Sequence, residues 1–169
     1  MAGVVATSCG IGATRSPRVS PPVVPASSQP VLSPAVAQTR AAIVQALGEV
    51  GLILDQPQIP HRPAEAALVA GAPRTVFQAV LPDDPGHGFI VVYELPSVPE
   101  AAAAAEQQAV FVASGPGRVQ FPPDAQFVIR RLGTTVVFHA YSRENSTDRR
   151  AADVVVALQR LGDEVPIPR

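Results

Sequence analysis

Between Gly10 and Pro34 stand six prolines (Pro17, Pro21, Pro22, Pro25, Pro30 and Pro34) and five serines, with few large apolar side chains among them. Such a stretch cannot bury enough surface to offset the entropy of ordering it, so residues 10–34 are expected to be an extended, disordered tether. At about 3.1 Å per residue in polyproline II, the tether reaches roughly 75 Å. The fold must therefore come from residues 35–165, with 166–169 as a short C-terminal tail. About 130 residues suffice for one domain with its own core. The chain has a single cysteine, so neither an intrachain disulfide nor a thiolate metal cluster is available, and packing alone must hold the domain. A formal net charge of −1 argues against nucleic acid, whose footprint is a basic patch. All thirteen basic residues are arginine, which removes lysine-based catalysis. No stretch approaches the ~20 apolar residues of a membrane span.

Hydrophobic periodicity supplies the elements. Val36, Arg40, Ile43, Val44, Leu47 and Val50 recur at spacings of three and four, predicting a helix over 35–50 with Ser33-Pro34 at its start and Gly51 at its end. Prolines between Asp55 and Pro63 rule out a regular element there, and a short helix is expected from Ala64 to Ala70. Thr75–Leu81 and Gly88–Leu95 read as strands joined by a long loop, followed by a helix from Pro99 to about Ala113 that opens on the capping box Ser97–Glu100. Gln126–Leu132 and Thr135–Tyr141 form a second hairpin across Gly133-Thr134, suited to a type II′ turn. A last helix is expected from about Asp148 to Leu161. The unit strand–strand–helix thus occurs twice, and Val91–Ser97 aligns with Val136–Ser142. The predicted fold class is α+β: a single domain with a four-stranded antiparallel sheet from two strand–strand–helix units, plus an N-terminal helix.

Alternation along the strands sorts their side chains onto two faces. One gathers Phe77, Ala79, Leu81, Phe89, Val91, Tyr93, Phe127, Ile129, Val136 and Phe138, and is expected under the helices. The other gathers Val76, Gln78, Val80, Ile90, Val92, Glu94, Val128, Arg130, Thr135, Val137, His139 and Tyr141. This mixed face holds too many valines for a solvated surface, and the N-terminal helix, a second copy of the chain or a ligand is expected to cover it. Glu94, Arg130, His139 and Tyr141 are the weak catalytic candidates. A histidine near a carboxylate suits a general base, and Arg130 suits an anionic group, yet nothing places a nucleophile beside His139. Cross-strand charge pairing is the plainer reading of the same residues. Asp83, Asp84 and His87 lack metal-ligand spacing and read as a solvated turn. His61-Arg62 reads as loop, Asn145-Ser146-Thr147 as helix-capping chemistry, and Gly115-Pro116-Gly117-Arg118 as a turn. No metal site and no cofactor are expected.

At the N-terminus, Ala6-Thr7-Ser8-Cys9 resembles the lipobox of bacterial lipoproteins, in which a small residue precedes a cysteine that becomes the lipidated N-terminus. Ser8 is small, as that motif requires, whereas Ala6 stands where it prefers Leu, Val or Ile. A signal segment carries a basic n-region and about 7–15 apolar residues. Met1–Ala6 reads as the last part of such a segment, as a start codon assigned too far downstream would leave it. The resemblance implies lipidation at Cys9, removal of residues 1–8, and a bacterial envelope protein held to the membrane outside the cytoplasm. The alternative is a lone thiol in a disordered N-terminus of a cytoplasmic protein. Beyond the lipobox the domain resembles no named family. The expected function is binding of a partner or ligand, without catalysis. An enzyme using Glu94, Arg130 and His139, or a self-associating module pairing through the mixed face, are the alternatives.

Overall fold

The structure, a computed structural model, describes residues 31–57 and 59–168; the lipobox, Cys9 and the expected tether as far as residue 30 lie outside them. Helix α1 spans Pro34–Gly48. Ser33 caps it, its Oγ accepting the Val36 amide at 3.2 Å, and Pro34 begins the first turn, as the Ser33-Pro34 pair predicts. The buried stripe is Val36, Thr39, Ile43, Ala46 and Leu47. It is rotated from the expected one: Arg40 and Val44 face outward, and the Arg40 guanidinium lies 6.0 Å from the centre of the Phe77 ring. Strand β1 (Leu54–Asp55), the short helix α2 (Ala67–Ala70), and strands β2 (Arg74–Ala79) and β3 (Phe89–Glu94) follow. Helix α3 (Val98–Ala113) begins at Ser97, whose hydroxyl donates to the Glu100 carboxylate at 2.7 Å and accepts the Glu100 amide. A single turn, α4 (Gly115–Arg118), stands where the sequence predicts only a turn. Strands β4 (Gln126–Leu132) and β5 (Thr135–Tyr141), helix α5 (Ala151–Leu158) and strand β6 (Asp163–Glu164) complete the chain.

The sheet has six strands rather than four, all antiparallel, in the order β1-β2-β3-β5-β4-β6. The two unexpected strands are the edges. Each is two residues long, too short for alternation to register. Short edges of this kind leave little unpaired backbone for another chain to join. In β6 the pairing is reinforced by charge, with Asp163 opposite Arg131 and Glu164 opposite Arg130. The β4–β5 hairpin has the expected bounds. Gly133 has φ 57°, and no described non-glycine residue has positive φ, so Thr134 fits the second position of a type II′ turn.

The internal similarity is local. Val92 pairs with Val137, flanked by Val91↔Phe138 and Tyr93↔Val136, so β3 and β5 are related by a pseudo-twofold axis through the central valines. The helices do not follow that symmetry. Ala101, Ala104, Ala105, Ala109 and Val112 of α3 pack with Val91, Tyr93, Ile129, Val136 and Phe138. Val154, Val155, Ala157 and Leu158 of α5 instead join α1 against Ile90, Val92, Val128 and Val137. The result is three layers, α1/α5 over the sheet over α2/α3. The mixed face is covered by α1 and α5 of the same chain, with Thr39 Oγ1 2.7 Å from Thr135 Oγ1 between them, and is not free for a second copy.

One strand is also turned over. Phe77 pairs with Ile90 and Val76 with Val91, which puts Phe77, Ala79 and Leu81 beneath α1 and α5, opposite to the expected face. A one-residue slip inverts every side chain of a strand, and the long β2–β3 loop gives no turn signal to fix the register. What fixes it is Gln78. Its amide donates to the Pro85 carbonyl at 2.8 Å and the His87 carbonyl at 2.7 Å, pinning that loop from the α2/α3 side.

Candidate functional site at the fork between β3 and β5

The residues singled out from sequence do not converge. Arg130 is occupied by structure: Nε donates to the Leu161 carbonyl at 2.5 Å, Nη2 to Gly162 at 3.0 Å, and Nη1 lies 3.6 Å from Glu164. It clamps the end of α5 and strand β6 to the sheet. Glu94 sits half-buried opposite Thr135, four residues along β5 from His139 and so roughly 13 Å away along the strand. Only His139 and Tyr141 come together, as neighbours on one face of β5 lining one small cavity.

A different site forms where the sheet divides. Strands β3 and β5 pair from Glu94↔Thr135 to Val91↔Phe138 and stop, although β3 starts at Phe89 and β5 continues to Tyr141. Each keeps its outer partner past that point, β3 through Phe89↔Gln78 and β5 through Tyr141↔Gln126. The two hairpins therefore part, and His139 fills the fork. Its Nδ1 lies 2.8 Å from the Phe89 carbonyl oxygen, which β5 no longer engages. A carbonyl only accepts, so Nδ1 carries the proton and Nε2 presents a lone pair. That Nε2 is buried and has no hydrogen-bond partner among the described residues. The residue is 3% exposed. Burial lowers its pKa to about 4, against the pull of the Phe89 carbonyl and with help from His61, so the ring is neutral at pH 7.

Two cavities meet at His139. One, of about 250 Å³, lies on the α2/α3 side against Phe89, Phe121 and Phe138; the other, of about 20 Å³, lies toward Tyr141, Ser142 and Ser146. All three histidines of the chain line the larger one. His61 stacks flat on Phe89, with ring centres 4.1 Å apart and 6° between planes. Burial, with Arg74 adding to it, lowers the His61 pKa as well. His87 places Nδ1 2.5 Å from Asp84 Oδ1 and leaves about half of its side chain exposed at the rim.

Asp84 is buried, which corrects the expectation of a solvated turn. Its Oδ2 accepts the Ser146 hydroxyl at 2.7 Å and the Thr147 amide at 3.2 Å. Burial pushes its carboxyl upward, but the hydrogen bonds from His87 and Ser146 outweigh it and hold the pKa below the ordinary value. Ser146 and Thr147 thus tie loop to loop instead of capping α5; the Arg150 amide at that helix start is bonded by Asp148 at 2.9 Å. Gly88 makes the turn into the fork possible. Its φ is +81°, and a Cβ there would lie 2.6 Å from the Ala79 carbonyl oxygen.

Arg62 stands at the mouth with 59% of its side chain exposed. Its Nε donates to Glu65 Oε2 at 2.9 Å, while the buried Glu65 also receives Arg74 at 3.0 Å and the Tyr93 hydroxyl at 2.9 Å. Burial, reinforced by the Glu65 carboxylate, pushes the Tyr93 pKa up and keeps that hydroxyl a donor. Among the described residues the Arg62 Nη nitrogens have no partner.

The chemistry of the fork follows. Ser146 gives its hydroxyl proton to Asp84, and Ser142 gives its own to Asp124 at 2.6 Å. No hydroxyl bonds a histidine nitrogen among the described residues, so no nucleophile–base pair is set up there. Nor, among the described residues, do three His, Cys, Asp or Glu side chains gather to hold a metal ion. The fork offers one buried acceptor, aromatic walls and an exposed guanidinium. Sequence reading singles out His139 but sets His61 aside as loop and His87 as part of a solvated turn; that the three line one cavity is visible only in the fold. The chain matches no protein-family model, no curated protein and no solved structure.

Proposed function

We propose that this is a lipid-anchored bacterial envelope protein whose α+β domain binds a small ligand in the fork between β3 and β5. His139 carries the binding half of this reading. A buried polar atom without a partner costs stability, and native proteins keep few of them. One such atom, on a histidine that lines a cavity together with the other two of the chain, supports a ligand site there. A cavity of about 250 Å³ is just below the ~300–1,000 Å³ of drug-sized sites, which suits a small metabolite. The anchoring half rests on Ala6-Thr7-Ser8-Cys9 and the proline-rich residues after it, which supply a modification site and a spacer. Separation of Glu94 from His139 and the structural engagement of Arg130 give the enzyme alternative no comparable support.

Backbone amide NMR of the full chain, screened against a fragment library, tests the binding half. Shifts confined to residues around His61, His87 and His139 are expected. Shifts scattered over the surface, or none at all, refute it. Mass spectrometry of the membrane fraction, with the gene expressed from an extended upstream start, tests the other half. A diacylglyceryl-modified Cys9 peptide is expected, and an unmodified Cys9 in a soluble chain retaining Met1 rejects the anchor.

A further inference from the structure

We infer that protonation of His139 parts β3 from β5, which makes the fork an acid-opened joint between the two hairpins. The opening needs no ligand, so it stands whether or not the cavity binds one. The ring occupies the gap where pairing stops after Val91↔Phe138, and its Nδ1 proton goes to the Phe89 carbonyl. It therefore bridges β5 to β3 where the backbone no longer does. Because Nδ1 already holds a proton, a second can go only to Nε2. That atom is closed to solvent and has no partner among the described residues. Neither the proton nor the water that must solvate the new charge reaches Nε2 while the strands stay together.

A charge on the ring would also go unmatched. In the segment before α2, Glu65 is shared among Arg62, Arg74 of β2 and the Tyr93 hydroxyl. In the β2–β3 loop, Asp84 serves His87, Ser146 and Thr147. In the loop before α5, Asp148 is held by Arg150. The one ionisable group that bears on His139 is His61, and it acts in the same direction as burial. An imidazolium is therefore accommodated by moving the ring into water, and the way out lies at the open end of the seam, where Val91↔Phe138 is the last pair. Both cavities are bounded by His87, Gly88, His139 and Ala140, so withdrawal of the ring reshapes both. Hydrogen bonds hold the Asp84 and Asp148 carboxyls below their ordinary pKa, so the ties between the two loops keep their charge in mild acid and the change originates at the fork.

Hydrogen exchange of the full chain at about pH 7.5 and pH 5, read by amide NMR and divided by the intrinsic rates, tests the joint. With an ordinary imidazole in the open form and a pKa of about 4 in the closed one, the open fraction should rise about thirtyfold between those conditions. Exchange at Val91 and Phe138 is expected to rise by that factor, while Arg130 and Val137, paired between β4 and β5, stay as they were. In His139→Gln the rise should vanish. Equal protection of Val91 and Phe138 at both pH values overturns the inference. So does a rise that reaches Arg130 and Val137 equally, or one that persists in the variant. If the variant fails to fold, the ring shifts of the wild type decide: His139 is expected to remain the neutral Nδ1–H tautomer at pH 5, and titration near its ordinary value with the seam still protected overturns the joint.

Discussion

Acidification puts the reading of His139 to a quantitative test. In the unfolded chain its imidazole titrates near the ordinary 6.5, whereas in the folded protein burial holds it at about 4. Between those values the unfolded state binds a proton that the native state refuses, so stability rises with pH across this window. The contribution is fully present above about pH 6.5 and is lost progressively as pH falls toward 4. A difference of two to three pKa units at about 1.4 kcal/mol each amounts to roughly 3 kcal/mol, and full burial leaves no solvent screening to discount it. The perturbation is His139→Gln, which keeps an amide donor for the Phe89 carbonyl and removes the titration. Urea unfolding of wild type and variant at pH 7.5, 6.5, 5.5 and 4.5 gives the two stability curves. The wild type should lose about 2–3 kcal/mol more than the variant over that range. His61 and the hydrogen-bonded carboxylates titrate in both proteins, so the difference between curves isolates His139. Parallel curves would mean that the ring is reached by water or protonated in place, and the burial argument would fail with them.

Three further outcomes follow from the same contacts. Asp84→Ala strands the Ser146 hydroxyl, the Thr147 amide and His87, and should cost about 2–3 kcal/mol in chemical unfolding; a loss under 0.5 kcal/mol would show that the loops hold without it. Gly88→Ala should destabilise by at least about 2 kcal/mol because of its positive φ and the Ala79 carbonyl, whereas Gly48→Ala, with open space around it at the end of α1, should be neutral or gain about 0.5 kcal/mol. Gln108 is wholly buried in α3 and joins the Ala66 amide and the Ala64 carbonyl; Gln108→Leu should cost about 2 kcal/mol and raise hydrogen exchange in residues 64–70, and unchanged exchange there would refute its role as the anchor of that segment.

Signals carried by neighbouring residues survive in the structure, and those set by distant ones do not. Ser33-Pro34, Ser97–Glu100 and Gly133-Thr134 act within a turn of backbone, and each sits where its chemistry predicts. The two longest strands, β4 and β5, have their expected bounds because a two-residue turn locks their register. Phe77 lies on the face opposite to the expected one because the long β2–β3 loop leaves the phase to Gln78, whose acceptors are backbone carbonyls visible only in three dimensions. The opposite placement of α3 and α5 has a trace in the valines of the mixed face, which needed a cover, but two similar strand pairs argued for symmetry. For the site, His139 was legible as a histidine on a strand among valines. That it fills a fork depends on β3 and β5 parting after Val91 and Phe138, a long-range event without a local motif.

The seam between β3 and β5 also has a temporal consequence. The β4–β5 hairpin closes across two residues and the β2–β3 hairpin across its longer loop, while the seam joins Val91 to Phe138, 47 positions apart, and closes a larger stretch of chain than either. The fork is made by that joining. A ligand that needs both Phe89 on one hairpin and His139 on the other therefore meets its site only where the two hairpins are joined, and stabilises the native domain over any state in which they are apart.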